Sequence, residues 1–265
     1  MLEINQIHQG DCMVLMKEIE DNSVDLILCD LPYGTTACEW DKVIPLEDLW
    51  NQYKKILKKD GVVVLTSSQP FTTDLINSNR DWFRYCWVWD KKKAGNIFLA
   101  ETQPMKVHED IVIFSQGTKY YPQKTNRREV KRSKNYGTGE TMCGNYTKEE
   151  KVYEYSDKYP ESILEFSNAS QKNKEHPTQK PVNLFRYLIK TYTQEGELVL
   201  DNCIGSGTTA VACKQLNRNF IGIESNTEYV DICNKRLSQK TMFEIAEKRD
   251  TLNSYIEVSA DSSQP

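Results

Sequence analysis

Val24-Asp25-Leu26-Ile27-Leu28-Cys29-Asp30-Leu31-Pro32-Tyr33-Gly34 is the stretch that decides the fold. It opens on an apolar run with the length of a buried strand. Pro32 has no N–H to donate and cannot continue a strand ladder, so the chain must leave the sheet at Asp30. A carboxylate, a rigid turn and an aromatic ring are then presented together at the strand's carboxyl end. In open α/β sheets that is the end where ligands bind. On this stretch alone a plainer reading stays open: a strand that ends in a Pro-Tyr turn with a solvated Asp.

Working outward, strands and helices alternate. Ile4 to Asp11 reads as a short strand ending in Gly10-Asp11-Cys12, and residues 13–20 read as a helix with Val14, Leu15 and Ile19 facing the core. Residues 46–58 form an amphipathic helix with Leu46, Leu49, Trp50, Tyr53 and Leu57 on one stripe. Lys58-Lys59-Asp60-Gly61 is expected to stop it, with cations in the last turn and glycine as the cap. Val62 to Leu65 is a buried strand, residues 70–80 a helix, and Tyr85 to Trp89 and Asp110 to Phe114 two further strands. Later come a helix over 181–193 with Leu184, Leu188 and Ile189 inward, a strand over 198–201, and a helix reaching about Asn217. A strand over 220–224 and a helix over 227–238 complete the pattern. Such alternation predicts a doubly wound α/β fold with a mostly parallel sheet. The polar tail from about residue 250 is expected to be mobile.

Composition narrows the classes. The 265 residues suffice for one large domain or two small ones, and at 38% apolar content the chain can bury a sizeable core. No apolar run approaches the ~20 residues of a membrane span, and Met1-Leu2-Glu3-Ile4-Asn5 shows no signal-peptide pattern, so a cytosolic chain is expected. Eight cysteines lack C-x-x-C spacing and there are only three histidines, so no metal site is expected. The cysteines read as small core residues. The net charge of −4 argues against indiscriminate nucleic-acid binding.

The cations are nevertheless concentrated. Residues 116–176 lose the regular alternation, and between 119 and 134 lie Lys119, Lys124, Arg127, Arg128, Lys131, Arg132 and Lys134 against the single acid Glu129. Tyr120, Tyr121 and Tyr136 sit among them. Cations interleaved with aromatics suit phosphate contact with base stacking; a solvated insertion loop is the competing reading.

Gly205-Ser206-Gly207-Thr208-Thr209-Ala210 lies between the strand ending at Asp201 and a helix. Glycines there let backbone approach a ligand closely, and a helix amino terminus attracts anionic groups. Glu224 ends the following strand, where it suits a ribose hydroxyl pair. The pattern is formally a dinucleotide fingerprint, so a nicotinamide-dependent oxidoreductase has to be weighed; a P-loop is excluded because no Lys follows the glycines. Asp201 at the strand end, suited to a cationic amine, and the unexplained Asp30 turn point away from NAD.

Together these motifs resemble the S-adenosylmethionine-dependent DNA amino-methyltransferases. DLPYG resembles the family's D/N/S-P-P-Y/F signature, DNCIGSGTT its D-x-F-x-G-x-G-T cofactor loop, QGDC its acidic strand end, and HPTQKP its H-P-T-x-K-P element. The order resembles the β group, a circularly permuted arrangement. The resemblance implies a seven-stranded, Rossmann-like methyltransferase sheet with an irregular basic insertion. It implies a catalytic turn at Asp30, Leu31, Pro32 and Tyr33. Cofactor contacts are implied at Asp11, Cys12, His176, Thr178, Lys180, Asp201, Cys203, Gly205, Ser206, Gly207, Thr208 and Glu224. Leu31 stands where the family has Pro, and Cys203 where it has Phe.

Residues 1–115 and 176–249 are accordingly expected to form one catalytic domain, 116–175 a target-recognition insertion, and 250–265 a tail. Double-stranded DNA is the expected partner, contacted by Lys124, Arg127, Arg128, Lys131, Arg132 and Lys134, with Trp40 compensating for a flipped base; a homodimer stays open. The expected reaction is methylation of the 6-amino group of adenine in DNA, with S-adenosylmethionine as donor. The 4-amino group of cytosine and an RNA substrate are the alternatives. His108, ahead of a strand, reads as a structural neighbour of the core.

Overall fold

Strand β1 spans Gln6–Gln9 and is followed by the short helix α1, Cys12–Leu15, which passes into a 3-10 turn over Met16–Glu18. The computed structural model describes residues 1–34, 42–134, 152–168 and 179–239. In chain order the next elements are β2 Val24–Cys29, α2 Leu46–Ile56, β3 Leu57–Ser67, α3 Phe71–Ser78, β4 Phe83–Gly95 and β5 Lys106–Ser115. Then come β6 Thr125–Lys134, β7 Val152–Lys158, β8 Ile163–Glu165, α4 Val182–Tyr192, β9 Leu198–Asp201, α5 Thr208–Gln215, β10 Asn219–Glu224 and α6 Thr227–Ser238.

The described residues divide into two compact units, one within Met1–Tyr121 and Ser162–Pro265, the other within Pro122–Glu161. The larger unit holds an eight-stranded sheet in the order β1-β10-β9-β2-β3-β5-β4-β8. Pairing is parallel from β1 through β3 and between β4 and β8, while β5 runs antiparallel to both its neighbours. The smaller unit contains the antiparallel pair β6–β7, with a bulge between Asn126 and Lys131.

Every residue of β2 is buried, the signature of a central strand covered on both faces. Alternation divides the core accordingly. Ile27 and Cys29 face one layer with Leu49, Trp50, Tyr53 and Ile56 of α2 and Phe71 and Leu75 of α3. Leu26 and Leu28 face the other with Leu184, Leu188 and Ile189 of α4 and Ala210, Ala212 and Cys213 of α5. Below the sheet's amino end, Asp25 is 2% exposed and accepts from the Leu198 N–H at 3.0 Å while pairing with Lys58 at 2.9 Å and Lys119 at 3.2 Å.

Several expectations are corrected. The sheet has eight strands, not seven; β8 comes from the stretch read as irregular, which also contains β6 and β7. Helix α2 ends at Ile56, and Gly61 lies within β3 instead of capping the helix. The Leu57 N–H still bonds the Tyr53 carbonyl, but Leu57 is extended and pairs with Val24, so sheet pairing prevails over the cap. Val14 is 59% exposed, and Met16 takes the inward place expected for it, because the helix tightens after one turn. Lys119 is buried between Asp25 and Glu197, so it is no part of a surface basic run. Trp40, His176, Thr178 and the tail fall outside the described residues.

Candidate functional site

The strand order creates the crevice. From β9 the chain crosses through α5 to β10 on one side; from β2 it crosses through α2 to β3 on the other. Between the carboxyl ends of adjacent parallel strands β2 and β9 the connections part, the usual place for a ligand. Leu26 pairs with Val199 and Ile27 with Leu200, which sets the Asp30 turn beside the Asp201 loop. A cleft of about 570 Å³ opens there. Asp30, Leu31, Pro32 and Tyr33 line it together with Asp11, Cys12, Lys180, Asp201, Cys203, Gly205, Ser206, Thr208 and Glu224. Gly207 is set back behind it.

Asp30 is held on both oxygens. The Tyr33 hydroxyl donates to Oδ1 at 2.7 Å and lies 3.0 Å from Thr66 Oγ1, whose own hydroxyl donates to the same Asp30 oxygen. Lys180 Nζ stands 3.0 Å from Oδ2 and 3.2 Å from Glu109 Oε2, and Lys91 pairs with Glu109 at 3.1 Å. Burial by itself would lower the Lys180 pKa; the carboxylates of Asp30 and Glu109 outweigh it and hold the ammonium above its usual value. Burial would likewise raise Glu109, and the Lys180 and Lys91 charges keep it low. Burial, reinforced by the Asp30 charge, pushes the Tyr33 phenol well up, so it serves as a donor. The Tyr33 ring stacks on Phe71 with centroids 5.3 Å apart.

The glycine loop is braced from three sides. Gly205 and Gly207 have φ of +53° and +81°, a left-handed backbone that glycine adopts without strain. A Cβ on Gly205 would meet nothing within 4 Å, so its backbone is bare to the cleft, whereas one on Gly207 would come within 3.0 Å of Cys233 Sγ. Glu224 Oε2 accepts from the Gly205 N–H and its Oε1 from the Asn226 N–H, each at 2.9 Å. Asp201 accepts from the Cys203 N–H at 3.2 Å and from the Thr209 hydroxyl. Burial pushes the Asp201 carboxyl up to about 7. Tyr53 of α2 donates to Asn202 Oδ1 at 2.6 Å. Asp11 caps α1 by accepting from the N–H groups of Met13 and Val14 at 2.7 and 3.2 Å. Cys12 is held as a thiol by its hydrogen bond with Cys203 and by burial.

A bare glycine backbone, three acids at strand ends and a volume of this size fit an adenosine ligand carrying positive charge. Asp201 and its loop would face the charged end, and Glu224 and Asp11 would face the polar hydroxyl and base edges. Among the described residues no group of three His, Cys, Asp or Glu is assembled for a metal ion, and no helix is long and apolar enough to cross a membrane.

Glu109, Thr66, Tyr53 and Asn202 were not among the residues expected at the site. No local alternation marks Glu109: Val107 and His108 are exposed, which corrects the reading of His108 as a core neighbour, while Glu109 and Asp110 are half-buried. In the smaller unit Lys124 pairs with Asp157 at 2.9 Å, and Arg127 Nε donates to the Asp157 carbonyl at 2.9 Å. Arg128, Lys131, Arg132 and Lys134 lie on β6, and their side chains fall outside the described residues.

The family model described as DNA methylase, of the N6/N4 type, matches residues 24–235. The chain is 28% identical over 266 residues to the Type II methyltransferase M1.MboII of Moraxella bovis, covering 90% of this chain and 98% of that one. Its fold resembles that of the M1.HpyAVI–SAM complex, with a TM-score of 0.61 and 24% identity over 88% of this chain and 99% of the other. It also resembles the cytosine-N4-specific PvuII DNA methyltransferase, with a TM-score of 0.64 and 17% identity over 91% and 88% of the two chains.

Proposed function

Because this chain belongs to the N6/N4 DNA methylases, the S-adenosylmethionine-dependent DNA amino-methyltransferases, we propose that it is a Type II enzyme acting on the 6-amino group of adenine within a specific DNA sequence. The observation that carries the adenine reading is the carboxylate of Asp30, oriented on both oxygens at the head of the cleft. The first position of the family's catalytic signature is variable, and an acid there favours adenine.

The donor supplies an electrophilic methyl group on a sulfonium. The chain's own work is to prepare the amine, whose lone pair is delocalised into the ring. Asp30 accepts one amine hydrogen and the carbonyl of Leu31 or Pro32 the other, which favours a pyramidal nitrogen and stabilises developing positive charge. Lys180, shared between Asp30 Oδ2 and Glu109 Oε2, balances the two carboxylates; for the amine to reach Oδ2, Lys180 moves toward Glu109. Fixed alignment supplies much of the remaining acceleration. Tyr33 flanks the base, which has to leave the duplex to reach the cleft. Asp201 and Glu224 orient the donor, and a cation beside Asp201 would return that carboxyl to its charged form.

The test is digestion to nucleosides of DNA from cells expressing the chain. N6-methyldeoxyadenosine is the expected product. N4-methyldeoxycytidine in its place would overturn the adenine reading and leave the family assignment standing.

A further inference from the structure

The connection from β4 to β5 leaves apolar side chains in water. Phe98 is 98% exposed, Ile97 70% and Leu99 47%. Scattered exposed apolar residues are ordinary, but three in succession mark a contact surface. The tip is shaped: Gly95 pairs with Lys106 where the strands part, and Asn96 turns the chain with φ +59°. Ile97–Leu99 then form one 3-10 turn, closed by Leu99 N–H to Asn96 O at 2.9 Å and Ala100 N–H to Ile97 O at 3.2 Å.

Topology puts this tip on the working edge of the sheet. Strand β4 is antiparallel to β5, which is antiparallel to β3, so β4 runs in the direction of β2 and β9. Its carboxyl end lies along the same edge as Asp30 and Asp201. Asn96, Lys91 and Lys106, at the root of the tip, line the same cleft as Asp30. Lys91, Lys92, Lys93 and Lys106 lie at the base of the tip, where Lys91 pairs with Glu109 and Lys92 with Asp90 and Glu165.

We propose that Phe98, flanked by Ile97 and Leu99, is the wedge that enters the duplex and fills the stack vacated by the target base. This rests on the reading that the cleft takes a base flipped from DNA. Withdrawing a base unstacks its neighbours, and an inserted apolar side chain restores part of that stacking. The ion pairs of Lys91 and Lys92 leave the positive charge at the base of the tip to Lys93 and Lys106, which are complementary to the phosphates on either side of such a gap. They are not complementary to a second copy of the same tip. Three such side chains also offer well under the ~800 Å² per partner of a stable protein interface.

The test uses the full chain and a synthetic duplex carrying the sequence found methylated in expressing cells. The target base is either paired or placed opposite an abasic site, where less stacking has to be broken. Phe98→Ala is expected to lower the ratio of paired to abasic-opposed methylation rates by at least about tenfold, and Phe98→Trp to restore it. S-adenosylhomocysteine should raise the melting temperature of all forms equally. An unchanged ratio, or equal loss on both duplexes, overturns the wedge. A wild-type dimer in sedimentation that Phe98→Ala converts to monomer overturns it too and assigns the tip to a second copy. If expressing cells contain no methylated base, the DNA reading itself fails, before any change at Phe98.

Discussion

Asp30 has three partners and one task. Tyr33 and Thr66 hold Oδ1, Lys180 holds Oδ2, and the carboxylate is thereby aimed before a substrate arrives. Asp30→Ala should abolish methyl transfer while S-adenosylhomocysteine still raises the melting temperature, because the glycine loop is braced by other residues. Measurable turnover in that variant would remove Asp30 from the chemistry. Asp201 offers a test in pH. Its folded-state pKa of about 7 lies above the ordinary value of 3.8, so the folded form binds the proton more tightly. Its contribution to stability is present below about pH 4 and is lost as pH rises through 7. Asp201→Asn cannot ionise, so its melting temperature relative to wild type should climb between pH 5 and pH 8 without ligand. A pH-independent difference would mean that the buried carboxyl stays charged.

At the scale of elements, α2 does two jobs with one face. Its stripe of Leu49, Trp50, Tyr53 and Ile56 is readable from spacing alone, and it packs against the sheet as that spacing requires. The hydroxyl at the end of Tyr53 is not readable that way; it reaches Asn202, far along the chain, and pins the start of the glycine loop. Tyr53→Phe leaves a buried amide oxygen without its donor, a loss of about 1–3 kcal/mol. The expected result is a lower urea midpoint together with a KM for S-adenosylmethionine that rises more than kcat falls. An unchanged KM would make the bond purely structural. The β3 boundary shows the opposite case. Lys58-Lys59-Asp60-Gly61 has every local mark of a helix stop, yet pairing of Leu57 with Val24 draws the segment into the sheet. Local preference yields where a neighbouring strand offers hydrogen bonds and burial.

For the whole molecule, the smaller unit carries most of the cations singled out in the sequence, and we propose it as a DNA-contacting element. Replacing Arg127 and Arg128 by Ala should weaken DNA binding and reduce its salt slope by about one for each phosphate no longer neutralised. Circular dichroism would control for removal of the Arg127 bond to Asp157. Unaltered affinity and slope would return the basic stretch to a solvated surface. The same stretch also shows how charge counting misleads: Lys119 belongs by sequence to the basic run and by structure to a buried cluster with Asp25 and Glu197.

By itself the sequence determined the alternation of strands and helices, the two places where the chain turns out of the sheet, and the acids at those turns. These depend on residues adjacent in the chain: apolar runs, a proline that ends a ladder, glycines that permit left-handed backbone. Only the tertiary structure decided that Lys180 stands between Asp30 and Glu109, that Tyr53 holds Asn202, and that Phe98 is left in water beside the cleft. Those facts depend on which strands become neighbours and in which direction they run. That choice is made by burial and hydrogen bonding summed over the sheet, and no local window of residues contains it.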